Sequence, residues 1–555
     1  MQVKSCYNMK DFIKIDILNS FSKEEAALGT YVNPGNKAFA EIADKDYVDK
    51  SGLISVVNKT IGTKNKLTCI SRPRRFGKSY AAKMLTAYYD CGCDSHALFD
   101  HRKIARSKDY LTNLNKYNVI CLDISGFVSA VKEISGDLKD VTVNIKKAIW
   151  KDLTECGFVP HEEDSLNDFL LRCAESPDGK PFIFIIDEWD SVIREAKDDD
   201  KVQDAYLSLL RGWFKNNNFT PKAVAAAYIT GILPIKKDGS QSSISDFREY
   251  TMLTPGPFAK YTGFSENEVR KKCSKGRISF EDVKSWYDGY ELPGISSVYN
   301  PYSVMHAITY KECRSFWGKT SAAEGLTDYI KMDFEGLQET VANLIAGSKI
   351  EVRTDSFQND LERFKSKDDI LTLLIHLGYL TYDSEQKTAH IPNEEVRSEF
   401  YSFLSADDVG KYWASMIKRA DKVLDDTIHL RSEAVASALK EIREEQYAPQ
   451  FYNNEQSLRA IIKYAYLSAI SKYVKIEEMP SGKGIADIAF IPASSSRLPA
   501  LLIELKWNKS PGGAIAQIKE KKYTSVLKSF TGNIILCGIN YDSKTGKHTC
   551  ITEKI

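Results

Sequence analysis

Short apolar runs alternate with longer amphipathic stretches between residues 41 and 240. Glycine, proline or charged residues bound each run, as they commonly bound β-strands. Short, mostly apolar strands separated by helical segments are typical of a parallel sheet with covering helices. The pattern therefore predicts an α/β domain over residues 41–240, with strands at 66–71, 119–124, 182–186 and 224–230.

A second α/β pattern occupies residues 441–555. It predicts strands at 473–477, 485–491, 500–506 and 533–539, with a helix at 454–471 before them and another at 514–528 before the last strand. This αβββαβ order indicates a separate, smaller C-terminal domain.

The other segments show weaker patterns. Residues 1–40 lack strong periodicity and are assigned to an N-terminal extension. Residues 241–330 are richer in glycine, proline and aromatic residues, which favours a lid or small subdomain. Residues 331–440 are predicted to be mostly helical and to form a linker domain.

Composition excludes several classes of protein. The 555 residues contain 76 Lys+Arg and 75 Asp+Glu, so the chain is neither wholly basic nor an acidic disordered protein. Eleven cysteines are too few for a disulfide scaffold and are expected to be reduced. No segment resembles a signal peptide or a membrane span, so we expect a soluble, cytoplasmic protein without a membrane partner.

Positive charge is concentrated towards the C-terminus. Residues 441–555 hold 16 basic and 11 acidic residues, a net charge of +5, whereas the first 440 residues have a net charge of −4. This asymmetry is a weak indication that the C-terminal domain contacts a polyanion, because a solvated lysine-rich helix would give the same count.

A phosphate-binding loop is predicted after the first strand. Gly77-Lys78-Ser79 lies between that strand and a helix, where backbone N–H groups can face phosphates. Lys78 would reach the β- and γ-phosphates and Ser79 would bind Mg²⁺. The loop departs from the full GxxxxGK[ST] pattern, since Arg72 replaces its first glycine, and a chance Gly-Lys-Ser is the alternative. The other candidate nucleotide-binding residues of the loop are Arg74, Arg75, Phe76 and Tyr80.

Carboxylates follow the strand at 182–186. Asp187 would hold Mg²⁺, and the adjacent Glu188 would activate the attacking water as a general base. Alternatively, the pair only caps the next helix. Thr230 ends the strand at 224–230 and could sense the γ-phosphate, although a simple turn threonine is equally consistent. Three arginines are candidates for an arginine finger, with no basis for a choice: Arg194, Arg211 and Arg248.

A second candidate site lies in the C-terminal domain. Glu504 and Lys506 share one face of a strand, and a hairpin would bring Asp487 beside them. Asp487 and Glu504 would bind Mg²⁺ for phosphodiester hydrolysis, while Lys506 would orient water or offset charge. Glu455 could add a metal ligand and Gln517 could face the same site. A salt-bridged surface hairpin and an inactive nuclease fold are the alternatives.

Taken together, the motifs resemble the AAA-ATPase-like proteins that carry a C-terminal PD-(D/E)XK nuclease domain. The resemblance covers about residues 40–555 in order, and Trp189 departs mildly from the tyrosine more usual in that family. It rests on YVDK at 47–50, RPRRFGKS at 72–79, FIFIIDEWD at 182–190, WYDGY at 286–290, VYNPY at 298–302 and the terminal D…ELK…Q pattern. The resemblance implies an N-terminal P-loop NTPase that binds ATP and Mg²⁺, a helical middle region and a restriction-endonuclease-like C-terminal domain.

These observations lead to the hypothesis of an ATP-controlled nuclease that uses Mg²⁺, with Mn²⁺ as an alternative. DNA is the expected substrate, with RNA left open by the sequence. Two other hypotheses remain open. One is a signalling NTPase switch whose nuclease-like domain binds nucleic acid or protein without cleaving. The other is a motor that remodels nucleic acid. The sequence leaves the oligomeric state open, with a homo-oligomer among the alternatives.

Overall fold

The computed structural model describes most of the chain in two compact units. The first comprises Met1–Glu268, Leu292–Ser296 and Arg353–Gly378, and the second Val269–Glu291, Ser297–Val352 and Tyr379–Ile555. No helix in the described part of the chain is long and apolar enough to span a membrane. The described residues are 29–43, 46–177, 179–235, 244–317, 334–357, 364–404, 411–446, 452–481, 484–492, 497–520 and 533–555.

A five-stranded sheet forms the centre of the first unit. Its strands pair in the order β2-β3-β4-β1-β5, and all four neighbouring pairs are parallel. The prediction of a parallel sheet is therefore confirmed, with small changes at strand ends. The strands are β1 (Leu67–Ser71), β2 (Asn118–Asp123), β3 (Phe182–Asp187), β4 (Val224–Gly231) and β5 (Arg248–Tyr250).

Two corrections concern this sheet. Ile124, predicted to end a strand, is the first residue of a helix, because Asp123 caps that helix by accepting from the N–H groups of Ser125 and Gly126. Strand β5 lies in the segment 241–330 that was predicted as a lid or small subdomain. This strand has only three residues, whose side chains are exposed or half-buried. The sequence therefore has no apolar run there that would predict a strand.

Helices cover both faces of the sheet. One hydrophobic cluster includes Ile120, Phe184 and Trp213, and the other includes Ile70, Ile183 and Tyr228. Because neighbouring residues of a strand point to opposite faces, these apolar strands contribute to both clusters. The helices before residue 230 are α1 (Lys37–Ala40), α2 (Gly52–Asn58), α3 (Lys78–Tyr89), α4 (His96–Phe99), α5 (Tyr110–Asn113), α6 (Ile124–Ile134), α7 (Asp140–Glu155), α8 (Leu166–Glu175), α9 (Ser191–Glu195), α10 (Asp200–Phe214) and α11 (Phe219–Ala223).

The middle of the chain is mainly helical, with short strands. Strands β9, β10 and β11 form a small antiparallel sheet in the order β10-β11-β9. The helices are α12 (Glu266–Gly276), α13 (Phe280–Tyr287), α14 (Pro301–Tyr310), α15 (Leu337–Ile345), α16 (Lys367–Leu377), α17 (Glu394–Leu404), α18 (Lys411–Ile428) and α19 (Ser432–Gln446). The strands are β6 (Phe264–Ser265), β7 (Tyr290–Leu292), β8 (Ile295–Tyr299), β9 (Ile350–Glu351), β10 (Thr381–Asp383) and β11 (Thr388–His390).

A second five-stranded sheet forms the C-terminal domain, in the order β12-β13-β14-β15-β16. The pair β14–β15 is parallel and the other pairs are antiparallel. The predicted αβββαβ order is present, but a final strand was missed because its exposed and buried residues do not form an apolar run. The elements are α20 (Glu455–Ala465), β12 (Tyr473–Ser481), β13 (Gly484–Pro492), β14 (Ala500–Trp507), α21 (Pro511–Glu520), β15 (Ile534–Asp542) and β16 (Lys547–Lys554).

The two helices of this domain pack on opposite faces of the sheet. Leu458 and Ile461 of α20 share a hydrophobic cluster with Ile503, whereas Ile515 of α21 clusters with Leu502. The end of β14 therefore lies between side chains of both helices. Residues 466–471, predicted to continue the first helix, include the 3₁₀ turn Leu467–Ser471, and residues 521–528 of the second predicted helix lie outside the described residues.

Candidate active sites

The phosphate loop joins β1 to α3 as predicted. Gly77 precedes the first residue of α3 with φ 88°, a left-handed conformation that glycine adopts without strain. The first N–H groups of a helix have no partner within the helix, so those of α3 are oriented towards the loop and can bind an anion. Arg75 also has a positive φ, of 69°, which marks the loop as tightly turned.

Lys78 lies across this loop and is only 5% exposed. Its Nζ donates to the carbonyl oxygens of Arg72, at 3.0 Å, and Pro73, at 2.9 Å. Burial lowers the pKa of Lys78, while the charges of Glu188 and Asp187 oppose that shift. The ammonium group is therefore held in the loop and in the electrostatic field of the carboxylates that end β3.

Arg72, which replaces the first glycine of the loop pattern, has a fully buried guanidinium. Nε donates to Thr262 Oγ1 at 3.0 Å, and Nη1 donates to the carbonyl oxygens of Ser71, at 2.8 Å, and Tyr250, at 2.9 Å. Burial lowers the pKa of Arg72 to about 10. The side chain thus ties the start of the loop to edge strand β5, and its contacts indicate a structural role.

Asp187 and Thr230 meet at the ends of β3 and β4. The Thr230 hydroxyl donates to Asp187 Oδ1, and Thr230 itself is fully buried. The N–H of Trp189 donates to the Thr230 carbonyl at 2.9 Å. Thr230 therefore orients the carboxylate predicted to hold Mg²⁺.

Glu188 forms an ion pair that the sequence did not predict. Its Oε2 lies 2.5 Å from Nη2 of Arg194, whose Nε lies 3.2 Å from Asp190 Oδ2. Burial alone would lower the pKa of Arg194, but the charges of Asp190 and Glu188 raise it overall. Among the three arginine-finger candidates, Arg194 alone contacts the predicted general base in the described structure, while Arg211 and Arg248 are exposed.

The other predicted loop residues divide into two groups. Ser79 and Tyr80 are exposed in the first turn of α3, and Arg74 and Arg75 are partly exposed in the loop. Phe76 is buried, and its carbonyl accepts from the N–H of Gly263 at 3.0 Å. Phe76 therefore anchors the loop, whereas the other four side chains are accessible to a ligand.

The second site forms where β13 and β14 separate. Ile488 pairs with Ile503, so Asp487 and Glu504 occupy the next position of the antiparallel pair. Asp487 Oδ2 accepts from the N–H of Leu505 at 2.8 Å. This contact places the predicted carboxylates on adjacent strands at one end of the hairpin.

Glu504 is held from two directions and is only 2% exposed. Its Oε1 accepts from Lys506 Nζ at 3.0 Å and from Nε2 of Gln517. Gln517 extends from α21, which packs on this face of the sheet, so the helix fixes the orientation of the carboxylate. Asp487, Glu504, Lys506 and Gln517 are thus brought together as the sequence suggested.

The helix α20 contributes Arg459, which sequence reasoning missed. Arg459 Nη2 lies 2.7 Å from Asp487 Oδ1, and both side chains are largely buried. Glu455, predicted as a further ligand, is exposed in the first turn of the same helix. Arg459 lies one helical turn after Glu455, so the two residues share one face of α20, and this spacing is the signal for Arg459 in the sequence.

The donor set of the second site suits Mg²⁺. Asp487 and Glu504 offer hard oxygen ligands, and Mg²⁺ is commonly bound through one or two carboxylates, with waters and substrate phosphates completing its shell. Within the described ranges there is no group of three or more His, Cys, Asp or Glu residues that could hold a metal. Among the described acidic side chains, a metal here would therefore have these two carboxylates as ligands, and oxygens from water or substrate would complete its shell.

Comparison with known families identifies two domains. Residues 34–240 match the model of a predicted AAA-ATPase, and residues 453–550 match that of the PD-(D/E)XK nuclease superfamily. The chain therefore combines an AAA-ATPase-like domain with a PD-(D/E)XK nuclease-like domain, as its motifs suggested.

Three individual proteins show more distant similarity. A protein from the vnfD 5′ region of Azotobacter chroococcum mcd 1, described as uncharacterized, is 21% identical over 530 residues, covering 91% of this chain and 95% of that protein. A Walker-type ATPase of Pyrococcus abyssi has a TM-score of 0.33 at 13% identity, covering 63% of this chain and 94% of its own. The ORC2 protein of Aeropyrum pernix has a TM-score of 0.31 at 9% identity, covering 66% and 98%.

Replacing Arg72 by alanine is expected to destabilise the first unit by roughly 3 kcal/mol, because it removes a buried side chain and leaves two carbonyl oxygens without their donor. Urea unfolding followed by tryptophan fluorescence measures the change. The exposed Arg211→Ala on α10 is the matched control and should differ from the parent by less than about 0.5 kcal/mol. Equal effects of the two substitutions would contradict the structural role of Arg72.

Proposed function

We propose that the first unit binds and hydrolyses ATP, and that its nucleotide state controls a Mg²⁺-dependent nuclease in the C-terminal domain that cleaves DNA in preference to RNA. The observation that best supports this proposal is that each domain places a lysine close to two carboxylates. Lys78 lies in the field of Asp187 and Glu188, and Lys506 bonds Glu504 beside Asp487. Both sets suit chemistry at phosphate groups.

In the nucleotide site, the N-terminus of α3 and Lys78 bind the phosphates. Ser79 and Asp187 would hold Mg²⁺, which would supply charge compensation at the phosphate oxygens. Thr230 keeps Asp187 oriented through its hydroxyl. Glu188 accepts the proton of the attacking water as the general base. Because Oε2 of Glu188 is paired with Arg194, the proton is accepted either by the other carboxylate oxygen or after this ion pair opens.

In the nuclease site, Asp487 and Glu504 are the metal-binding carboxylates. Together they would hold Mg²⁺, or Mn²⁺ in its place, which would polarise the phosphodiester and lower the pKa of the attacking water. Gln517 keeps Glu504 in position through its side-chain amide. Lys506 orients the water or offsets the negative charge that develops on the phosphate.

A second candidate function is a nucleotide switch whose nuclease-like domain binds nucleic acid without cleaving it. One observation favours it: Asp487 pairs with Arg459, and Glu504 bonds Lys506 and Gln517. A carboxylate paired with a cation can be a structural group that never binds metal. Cleavage assays with divalent metal distinguish the two functions.

Two residues of the nucleotide site are expected to affect different steps, one ATP binding and the other ATP hydrolysis. Lys78→Ala should abolish tight ATP binding, because it removes the buried charge in the loop, whereas Glu188→Gln should keep binding and lose hydrolysis. Calorimetry with a non-hydrolysable ATP analogue and a phosphate-release assay measure the two effects. Lys83→Ala, an exposed substitution on the same helix, is the control. Undiminished binding by Lys78→Ala would contradict the assignment.

At the nuclease site, Asp487→Ala and Glu504→Ala should each remove metal-dependent cleavage, since each deletes a ligand. Lys506→Ala should leave metal binding nearly intact and still abolish cleavage. Plasmid, linear DNA and RNA are incubated with Mg²⁺ or Mn²⁺, with and without ATP. Glu553→Ala, on the exposed part of β16, is the carboxylate control and should cleave as the parent does. Parental activity in all three site variants would show that the site is elsewhere.

Control of the nuclease by nucleotide requires that ATP binds two conformations with different affinity. A coupling of ~1–3 kcal/mol corresponds to a change of roughly 5- to 150-fold in DNA affinity. We therefore expect the ATP analogue to alter DNA binding or cleavage at least several-fold, in either direction. The measurement compares the parent with Lys78→Ala, each with and without nucleotide. Identical values in all four conditions would mean that the two activities are independent.

A further inference from the structure

Both oxygens of Asp487 are engaged in the structure. Oδ1 lies 2.7 Å from Nη2 of Arg459, and Oδ2 accepts from the N–H of Leu505 at 2.8 Å. The side chains of Arg459 and Asp487 are 14% and 16% exposed, so water screens this pair only partly. Asp487 is therefore already neutralised by a side chain from another element.

The two oxygens of Asp487 are not equally open to a cation. The Leu505 N–H is a neutral backbone donor whose place is fixed by β14, and it can remain while the carboxylate binds metal. The Arg459 guanidinium carries a full positive charge, which would repel a divalent cation at the same oxygen. A metal at Oδ1 of Asp487 and a guanidinium 2.7 Å from the same oxygen thus exclude each other.

Arg459 also differs from the other cation of the site. Lys506 stands two residues from Glu504 on the same strand, so the sheet holds the two side chains on one face. Arg459 belongs to α20, which packs on the opposite face from α21, and reaches Asp487 through a long, flexible side chain. It can therefore leave the carboxylate without any change of the sheet.

We propose that Arg459 is an exchangeable counterion: it holds Asp487 while the nuclease site contains no metal, and it releases the carboxylate when a divalent cation binds. This rests on the proposed nuclease function, because it takes Asp487 as a metal ligand. The released guanidinium remains beside the site, where a planar, bidentate donor suits a phosphodiester oxygen. Arg459 therefore tunes the metal concentration at which the site becomes loaded.

The first test measures Mn²⁺ affinity by calorimetry on the full chain without nucleic acid or nucleotide. An Asp187→Asn background removes the predicted metal ligand of the other site. Arg459→Gln should bind Mn²⁺ about tenfold more tightly, because the competing cation is gone, and Arg459→Lys, which keeps the charge, should bind it nearly as the background protein does. Equal or weaker binding by Arg459→Gln would overturn the proposal, since a residue that merely positions Asp487 would lower affinity when removed.

A further variant separates failure of this proposal from failure of the proposed function. Asp487→Asn should lose Mn²⁺ binding. If it does and Arg459→Gln gains no affinity, the metal site is correct and the counterion exchange is wrong. If Asp487→Asn binds Mn²⁺ unchanged, Asp487 is not a metal ligand and both proposals fail.

The second test detects release directly. Phenylglyoxal modifies accessible arginines, and mass spectrometry locates the modified residue. Modification of Arg459 should become several-fold faster when Mn²⁺ is added. Arg443, which bonds the Tyr541 hydroxyl at 2.7 Å in the same domain, should be unaffected. An unchanged or slower rate at Arg459 would show that metal does not displace it.

Discussion

The buried guanidinium of Arg72 is the interaction on which the nucleotide site depends. Its side chain joins the end of β1 to Tyr250 of β5 and to Thr262, while its backbone carbonyl accepts from Lys78. One residue therefore fixes both the wall of the loop and the lysine inside it. A glycine here would leave the loop freer but would lose the link between β1 and the edge strand. Burial lowers the pKa of His376 on α16 to about 3, and the charge of Arg72 adds to this shift. The imidazole of His376 is therefore neutral.

A common arrangement recurs in the two candidate sites. In each, a carboxylate is paired with an arginine from a helix: Glu188, directly after β3, with Arg194, and Asp487, within β13, with Arg459. Carboxylates that lie this deep are costly unless a charge or hydrogen bonds compensate them. Compensation by a long side chain satisfies that requirement and still leaves the carboxylate able to change partners. The resting structure of both sites is thus stabilised by ion pairs that compete with the proposed chemistry for one oxygen of each carboxylate.

The supporting contacts are hydrogen bonds to groups that need not move. Thr230 holds Asp187, Gln517 holds Glu504, and the Leu505 N–H holds Asp487. Two of these donors come from a neighbouring strand and one comes from a packed helix, so the sheet and its helix determine where each carboxylate lies. Each site therefore combines hydrogen-bond donors that stay in place with an arginine that can change partners.

The sequence by itself determined the two α/β patterns, the phosphate loop and the residues Asp187, Glu188, Asp487 and Glu504. Each is a local signal: an apolar run, a glycine at a turn, or a carboxylate at a strand end. Gln517 and Lys506 were also placed correctly beside Glu504, because the order of strand and helix limits which side chains can meet.

The tertiary structure alone decided the remaining features. Strands β5 and β16 exist through pairing with neighbours and lack an apolar run of their own. The contact of Arg194 with Glu188, and the position of Arg459 rather than Glu455 beside Asp487, depended on which side chain reaches a carboxylate 6 or 28 residues away. A local sequence pattern indicates the secondary structure that a segment prefers. Pairing between charged side chains depends instead on the distances between segments, and these distances are fixed only when the helices pack on the sheets.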